Sequence, residues 1–106
     1  MIYELREYLA YDHTLEALHD RFRTTTLPLF AKHGLDVVGF WNDETDPTRL
    51  IYLLRFADED AKARAWSGFQ SDPEWKAAKA ESETDGPITA SMSSRVLAPV
   101  DYWPAP

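Results

Sequence analysis

Two tyrosines, two arginines and one histidine carry most of the chemistry this sequence could do. Tyr3 and Tyr52 stand second in two similar strings, Ile2-Tyr3-x-Leu5-Arg6 and Ile51-Tyr52-x-Leu54-Arg55. A phenol offers a hydrogen-bond donor at neutral pH, and arginine offers a planar fork matched to carboxylate or phosphate. His19 follows the apolar Leu18 and is a candidate general base. His13, His19 and His33 do not repeat at i and i+4, so no metal site is expected. None of the four glycines is paired at G-x-G spacing, which argues against a nucleotide cradle. The chain has no cysteine, which excludes disulfides, thiolate metal sites and cysteine nucleophiles. No Ser-His-Asp order can be defended. Eleven basic against eighteen acidic residues give a net charge of −7, which argues against nucleic acid and anionic membrane as partners.

The elements that must hold these groups follow from periodicity. Residues 1–9 alternate as a strand, with Tyr3, Leu5 and Leu9 on one face and Ile2, Glu4, Arg6 and Tyr8 on the other. Asp12 or Thr14 caps a helix carrying Leu15, Leu18, Phe22, Leu29 and Phe30 at helical spacing. Thr24-Thr25-Thr26-Leu27-Pro28 interrupts it, because Pro28 leaves the carbonyl of Thr24 without its donor; a kink or a π-bulge is expected. Gly34 suits the left-handed position after the helix. Strands follow at Asp36 to Trp41 and Leu50 to Phe56, the latter apolar on both faces and therefore central in the sheet. Asp58 or Asp60 opens a second helix through Trp66 and Phe69, Ser71 with Glu74 reads as a capping box restarting it, and 88–98 is a fourth strand. The tail 99–106 carries Tyr102 and Trp103 and is suited to packing across a neighbouring protomer.

The order βαββαβ predicts an α+β, ferredoxin-like sandwich over residues 1–106, its helices on one face of the sheet. Its two halves match in order at Tyr3 and Tyr52, Phe22 and Phe69, and Pro28 and Pro73, which reads as a degenerate duplication. The other sheet face, carrying Ile2, Tyr8, Ile51 and Leu53, is too apolar to stay wet, so a homodimer packed sheet to sheet is expected. So short a chain buries only about 60–65% of its unfolded surface, and an interface would help it. Glu4, Tyr8 and Arg55 are assigned to that interface. Glu4, Arg6 and Arg55 then read either as a cross-dimer ion-pair network or as an anion site. No basic leader and no apolar run beyond Leu50 to Leu54 is present, so a cytoplasmic protein is expected.

Tyr3-Glu4-Leu5-Arg6-Glu7-Tyr8, Leu27-Pro28-Leu29-Phe30, His33-Gly34, Gly39-Phe40-Trp41, Asp72-Pro73-Glu74-Trp75 and Leu97-x-Pro99-x-Asp101-Tyr102 together resemble the NIPSNAP family across nearly the whole chain. The resemblance implies the dimeric α/β barrel, in which two ferredoxin-like protomers join their sheets. That wider superfamily includes cofactor-free monooxygenases, isomerases, cyclases and haem enzymes, so activity is transferred only by analogy of fold. The third strand of the family often carries a histidine where Tyr52 stands here. The resemblance also implies a ligand cavity between sheet and helices, expected to be lined by Tyr3, Leu5, Tyr52, Leu54 and Phe56 under Leu18, Phe22, Trp66 and Phe69. It would take a small hydrophobic or aromatic ligand without a cofactor, with His19 and Tyr52 catalytic and Tyr3, Arg6, Trp41 and Trp66 binding. The alternatives are an ordinary core for the tyrosines, a partly exposed helix residue for His19, and a binding module without turnover.

Overall fold

The computed structural model describes residues 1–106. Strand β1 (Ile2–Ala10) leads through a 3-10 turn (Asp12–Thr14) into α1 (Leu15–Arg21), a π-helical segment (Phe22–Thr26) and α2 (Leu27–His33). Then come β2 (Asp36–Asn42), β3 (Arg49–Phe56), α3 (Glu59–Ser71), α4 (Pro73–Ser82) and β4 (Thr89–Leu97). The sheet is antiparallel with order β2-β3-β1-β4, the ferredoxin-like arrangement, and β3 is central as its two apolar faces require.

The expected interruption of the first helix is a π segment. The Leu27 N–H reaches the Phe22 carbonyl five residues back, and the hydroxyls of Thr24 and Thr26 donate to the carbonyls of Asp20 and Arg21 at 2.8 and 3.2 Å. Side chains thus occupy backbone acceptors around the proline. Gly34 ends α2 at φ 80°, as expected for a residue without Cβ. Asp58 caps α3 by accepting the Ala61 N–H at 2.8 Å. The second cap differs from expectation: Ser71 ends α3, and Asp72 accepts the Glu74 N–H at 2.8 Å with Pro73 at the first helical position. Proline prefers that position, which makes the residue before it the cap.

Asp72 does more than cap. Its buried carboxylate accepts hydrogen bonds from His33 Nε2 at 2.7 Å and Lys32 Nζ at 2.9 Å, tying the end of α2 to the start of α4. Gly68 on α3 makes room for the His33 ring, since a Cβ there would lie 2.9 Å from Nδ1. The core between sheet and helices centres on Leu18, Phe30, Leu35, Leu50, Tyr52 and Leu54, all essentially without solvent contact.

The sheet faces depart most from expectation. Leu50, Tyr52, Leu54 and Phe56 of β3 point to the helices as expected. In β1 the pairing of Arg6 with Tyr52, Glu4 with Leu54 and Tyr8 with Leu50 puts Glu4, Arg6 and Tyr8 on that same helix face. Tyr3, Leu5 and Leu9 lie on the open face with Ile51, Leu53 and Arg55, so the assignment of β1's faces is reversed. Glu4 and Tyr8, buried to 2% and 8% exposure, are therefore not on the open face where an interface was expected. The matched strings are also out of phase, because Tyr3 and Tyr52 face opposite ways. The tail lies on its own open face, its Pro106 main-chain oxygen accepting from Tyr3 Oη at 3.0 Å and Arg55 Nη1 at 3.1 Å. No helix is long and apolar enough to cross a membrane.

Candidate functional site

Because β1 turns its polar residues inward, three of them, Glu4, Arg6 and Tyr8, meet side chains from β3 and α3 beneath the helices. Arg6 engages every nitrogen of its guanidinium there. Its Nε donates to Tyr52 Oη at 3.0 Å, Nη1 to Glu4 Oε2 at 2.9 Å and Nη2 to Tyr8 Oη at 3.1 Å. Tyr8 and Tyr52 share a hydrogen bond of 2.8 Å, and Trp66 Nε1 donates to the second Glu4 oxygen at 2.7 Å. The Trp66 ring also lies 4.4 Å from the Arg6 guanidinium carbon, a cation–π contact. A charge pair removed from water needs such saturation, since a lone buried carboxylate costs several kcal/mol.

The network fixes where its protons lie. Both phenolic oxygens accept from Arg6, so only one hydroxyl can donate to the other. Tyr52 is fully buried and does not line the cavity that Tyr8 borders. Were Tyr8 to donate, the Tyr52 proton would be left buried without an acceptor, a cost of about 1–3 kcal/mol. Tyr52 therefore donates to Tyr8, and the Tyr8 proton is left for the cavity that Tyr8 lines. Burial pushes the Tyr52 hydroxyl well above the usual phenol range, with Tyr8 adding to the rise and Arg6 opposing it; Tyr52 stays neutral and cannot act as a base near pH 7. Burial alone would pull Arg6 down, but Tyr8, Tyr52 and Glu4 outweigh it and hold its proton more firmly than usual.

The cavity lies between sheet and helices, as expected, with a volume of about 420 Å³. Phe22, Phe30, Trp66, Phe69 and Trp75 supply its aromatic walls, and Met92 of β4 stands at its exposed side. The aromatic packing is close: Phe30 meets Phe69 with centroids 4.9 Å apart, Phe69 meets Trp75 at 4.6 Å, and Phe40 stacks on Tyr52 at 4.8 Å. These rings give the walls a fixed shape. The polar lining is cationic. Arg6, Arg21, Lys76 and Lys79 border the cavity against one carboxylate, Glu83, in a chain whose net charge is −7.

Several expected site residues fall elsewhere. Tyr52 stands behind Tyr8 and reaches the cavity only through it. Tyr3 lies on the open face, in a separate cleft of about 260 Å³ under the tail. Trp41 is exposed on that face and lies across Gly39, where any Cβ would collide with the indole. His19 is half-buried on α1 and borders none of these cavities. Leu5 and Arg55 also lie on the open face. Arg55 pairs with Asp36 through Nε and Nη2 at 2.9 and 2.8 Å, away from Glu4 and Arg6, so the three form no common network. Arg6, Trp66, Phe22 and Phe69 are where a cavity reading needs them. Arg21, Trp75, Lys76 and Lys79 were not foreseen. The chain holds no cluster of histidine and carboxylate side chains with the geometry of a metal site.

The NIPSNAP family profile matches residues 3–104. No protein with a curated description matches the sequence. Among solved structures, an uncharacterized NIPSNAP domain protein from Burkholderia xenovorans superposes with TM-score 0.84 at 16% identity, over 99% of this chain and 100% of that one. A NIPSNAP family protein from Agrobacterium tumefaciens gives 0.85 at 20% identity, over 97% and 96%. A putative antibiotic biosynthesis monooxygenase from Nitrosomonas europaea gives 0.68 at 12% identity, over 94% and 99%. At these identities the likeness is one of fold.

Proposed function

The chain belongs to the NIPSNAP family, and from that premise we propose that its cavity binds a flat, mainly apolar small molecule and donates the Tyr8 hydroxyl to an oxygen on it. The argument that carries this reading is the count of phenolic protons: with Tyr52 donating to Tyr8 and Arg6 donating to both, the Tyr8 O–H is left without an acceptor in the protein. A phenol or enolisable ketone seated there would take that hydrogen bond. Its ionised form would gain most, because Arg6 stands directly behind Tyr8 and the other cations line the wall. A stabilised enolate or phenolate is the common starting point of cofactor-free oxygenation, isomerisation and cyclisation, the reaction types the resemblance implies. The fold likeness to a putative antibiotic biosynthesis monooxygenase is in keeping with it.

The test is the ionisation of bound 2-naphthol, followed by its absorbance against pH. A hydrogen bond strengthened by charge contributes about 1.5–3 kcal/mol, so bound naphthol should ionise roughly one pH unit or more below free naphthol. Tyr8→Phe should abolish most of that shift. The reading fails if naphthol does not bind, or if the shift survives in Tyr8→Phe.

A second reading, a ligand-binding module without turnover, draws on the absence of any imidazole from the cavity wall. A naphthol that binds and ionises but never reacts, together with a library of enolisable ketones left unchanged, would favour it. The open sheet face belongs to the same proposal as the contact between two copies. Leu5, Leu9, Ile51 and Leu53 remain only half-covered there, with Trp41 exposed beside them. Light scattering at micromolar concentration should give twice the chain mass and, for Leu53→Glu, the single mass.

A further inference from the structure

Arg21 is unlike every other arginine that borders the cavity. Arg6 has a protein partner on each of its three nitrogens, whereas Arg21 uses only Nη1, which donates to Ser82 Oγ at 3.1 Å and lies 3.7 Å from Glu83. Its Nε is the one fully buried side-chain nitrogen in the chain with no hydrogen-bond partner, and Nη2, which keeps some solvent contact, forms no hydrogen bond within the protein. The side chain is only 8% exposed and Nε not at all, so water does little to compensate that nitrogen. Leaving such a donor unpaired is costly, and a charged one more so. Burial accordingly pulls the Arg21 guanidinium below its usual value against the opposing pull of Glu83.

The free Nε and Nη2 form the edge of the guanidinium that takes a carboxylate side-on, as Arg55 does with Asp36 on the other face of the sheet. Trp75 fixes the plane of the group, its ring 5.0 Å from the guanidinium carbon. Lys76 and Lys79 stand on the same wall. We infer that Arg21 is the anion subsite of the cavity, and that the ligand is a planar aromatic carboxylate whose acid group pairs with Arg21 while its rings lie among Phe22, Trp66, Phe69 and Trp75. The inference rests on the small-molecule reading of the cavity and narrows it to acids.

The test compares 2-naphthoate with its uncharged isostere 2-naphthamide, using the indole N–H signals of Trp66 and Trp75 in NMR spectra of the full chain at low salt. Naphthoate should bind about tenfold or more tighter than the amide, the usual size of one charge-assisted pair. Arg21→Gln should bring the two affinities together. Glu83→Gln, which removes the competing carboxylate, should tighten naphthoate and leave the amide unchanged. Lys76→Gln/Lys79→Gln should retain the preference, weakened mainly by lost steering. If acid and amide bind alike, the anion subsite is wrong while the cavity reading stands. If neither disturbs Trp66 or Trp75, both are wrong. A preference that survives Arg21→Gln and disappears in the double lysine variant would overturn the role of Arg21; if Arg21→Gln does not fold, the Glu83→Gln result decides alone, and an unchanged naphthoate affinity there is equally fatal.

Discussion

The two faces of strand β1 invert the usual rule. Its covered face holds Glu4, Arg6 and Tyr8, and its open face holds Tyr3, Leu5 and Leu9. A strand built for stability alone would bury the second set and expose the first. What makes the inverted choice tolerable is saturation: each oxygen of Glu4 and each nitrogen of Arg6 has a partner within 3.1 Å. The open face is simpler, its Arg55 paired with Asp36 at the surface and its Tyr3 hydroxyl donating to the tail's Pro106. The contrast teaches that polarity in this strand marks the cavity, and that departures from local rules gather where a site is being built.

Substitutions across the two faces put that contrast at risk. Arg6→Leu should cost the most, about 3–5 kcal/mol in urea unfolding, because it leaves Glu4 charged and buried. Arg55→Leu on the open face should leave the unfolding midpoint close to that of the wild type; equal losses would erase the distinction between the faces. Next comes Tyr52→Phe, which deprives Arg6 and Tyr8 of a partner and should cost about 2 kcal/mol. Tyr3→Phe removes a phenol of the same type on the other face and should cost about 0.5 kcal/mol or less.

The narrowest effect, one read only in the acid limb, belongs to Asp72, which lies away from the cavity. His33, then Lys32 and the Glu74 N–H, hold its carboxyl well below the usual carboxylate range. In the unfolded chain it takes up a proton near pH 4, as an ordinary aspartate does. Its contribution is therefore complete above that pH and declines as the pH falls toward the folded value. Asp72→Asn should flatten the acid limb of a stability–pH profile below about pH 4, leaving the dependence near neutrality in place. An unchanged acid limb would mean that the α2–α4 tie does not report through Asp72.

Local chemistry in the chain was legible. The threonines before Pro28 announced a helix irregularity, Gly34 announced a left-handed turn, and the unbroken apolar run of β3 announced a central strand, because each depends on a few neighbouring residues. Which way β1 faces was not legible in that manner. Apolar content favours burying Tyr3, Leu5 and Leu9, and only the register of Arg6 against Tyr52, set 46 residues away, shows that the other set is covered. The repeat of Ile-Tyr-x-Leu-Arg misled for the same reason: similarity of letters carries no information about side. Arg21 gives no signal in the sequence because a charged residue on an amphipathic helix reads as solvent-facing, and its burial depends on α4 folding across it. Asp72 was within reach, since Pro73 at a helix start points to the residue before it as cap.

The π segment at Phe22–Thr26 has a consequence for the chain's tolerance of length changes. It holds one residue more than an α-helical path would need, and each residue of an α-helix turns the chain by about 100°. Deleting Thr25 alone would let the helix close up into regular hydrogen bonding with Leu29 and Phe30 still toward the sheet and His33 still at Asp72, whereas the same deletion inside regular α1 would swing all three by that angle. The segment is thus a phase corrector: the polypeptide is locally less regular so that the cavity walls before and after Pro28 can face the same way.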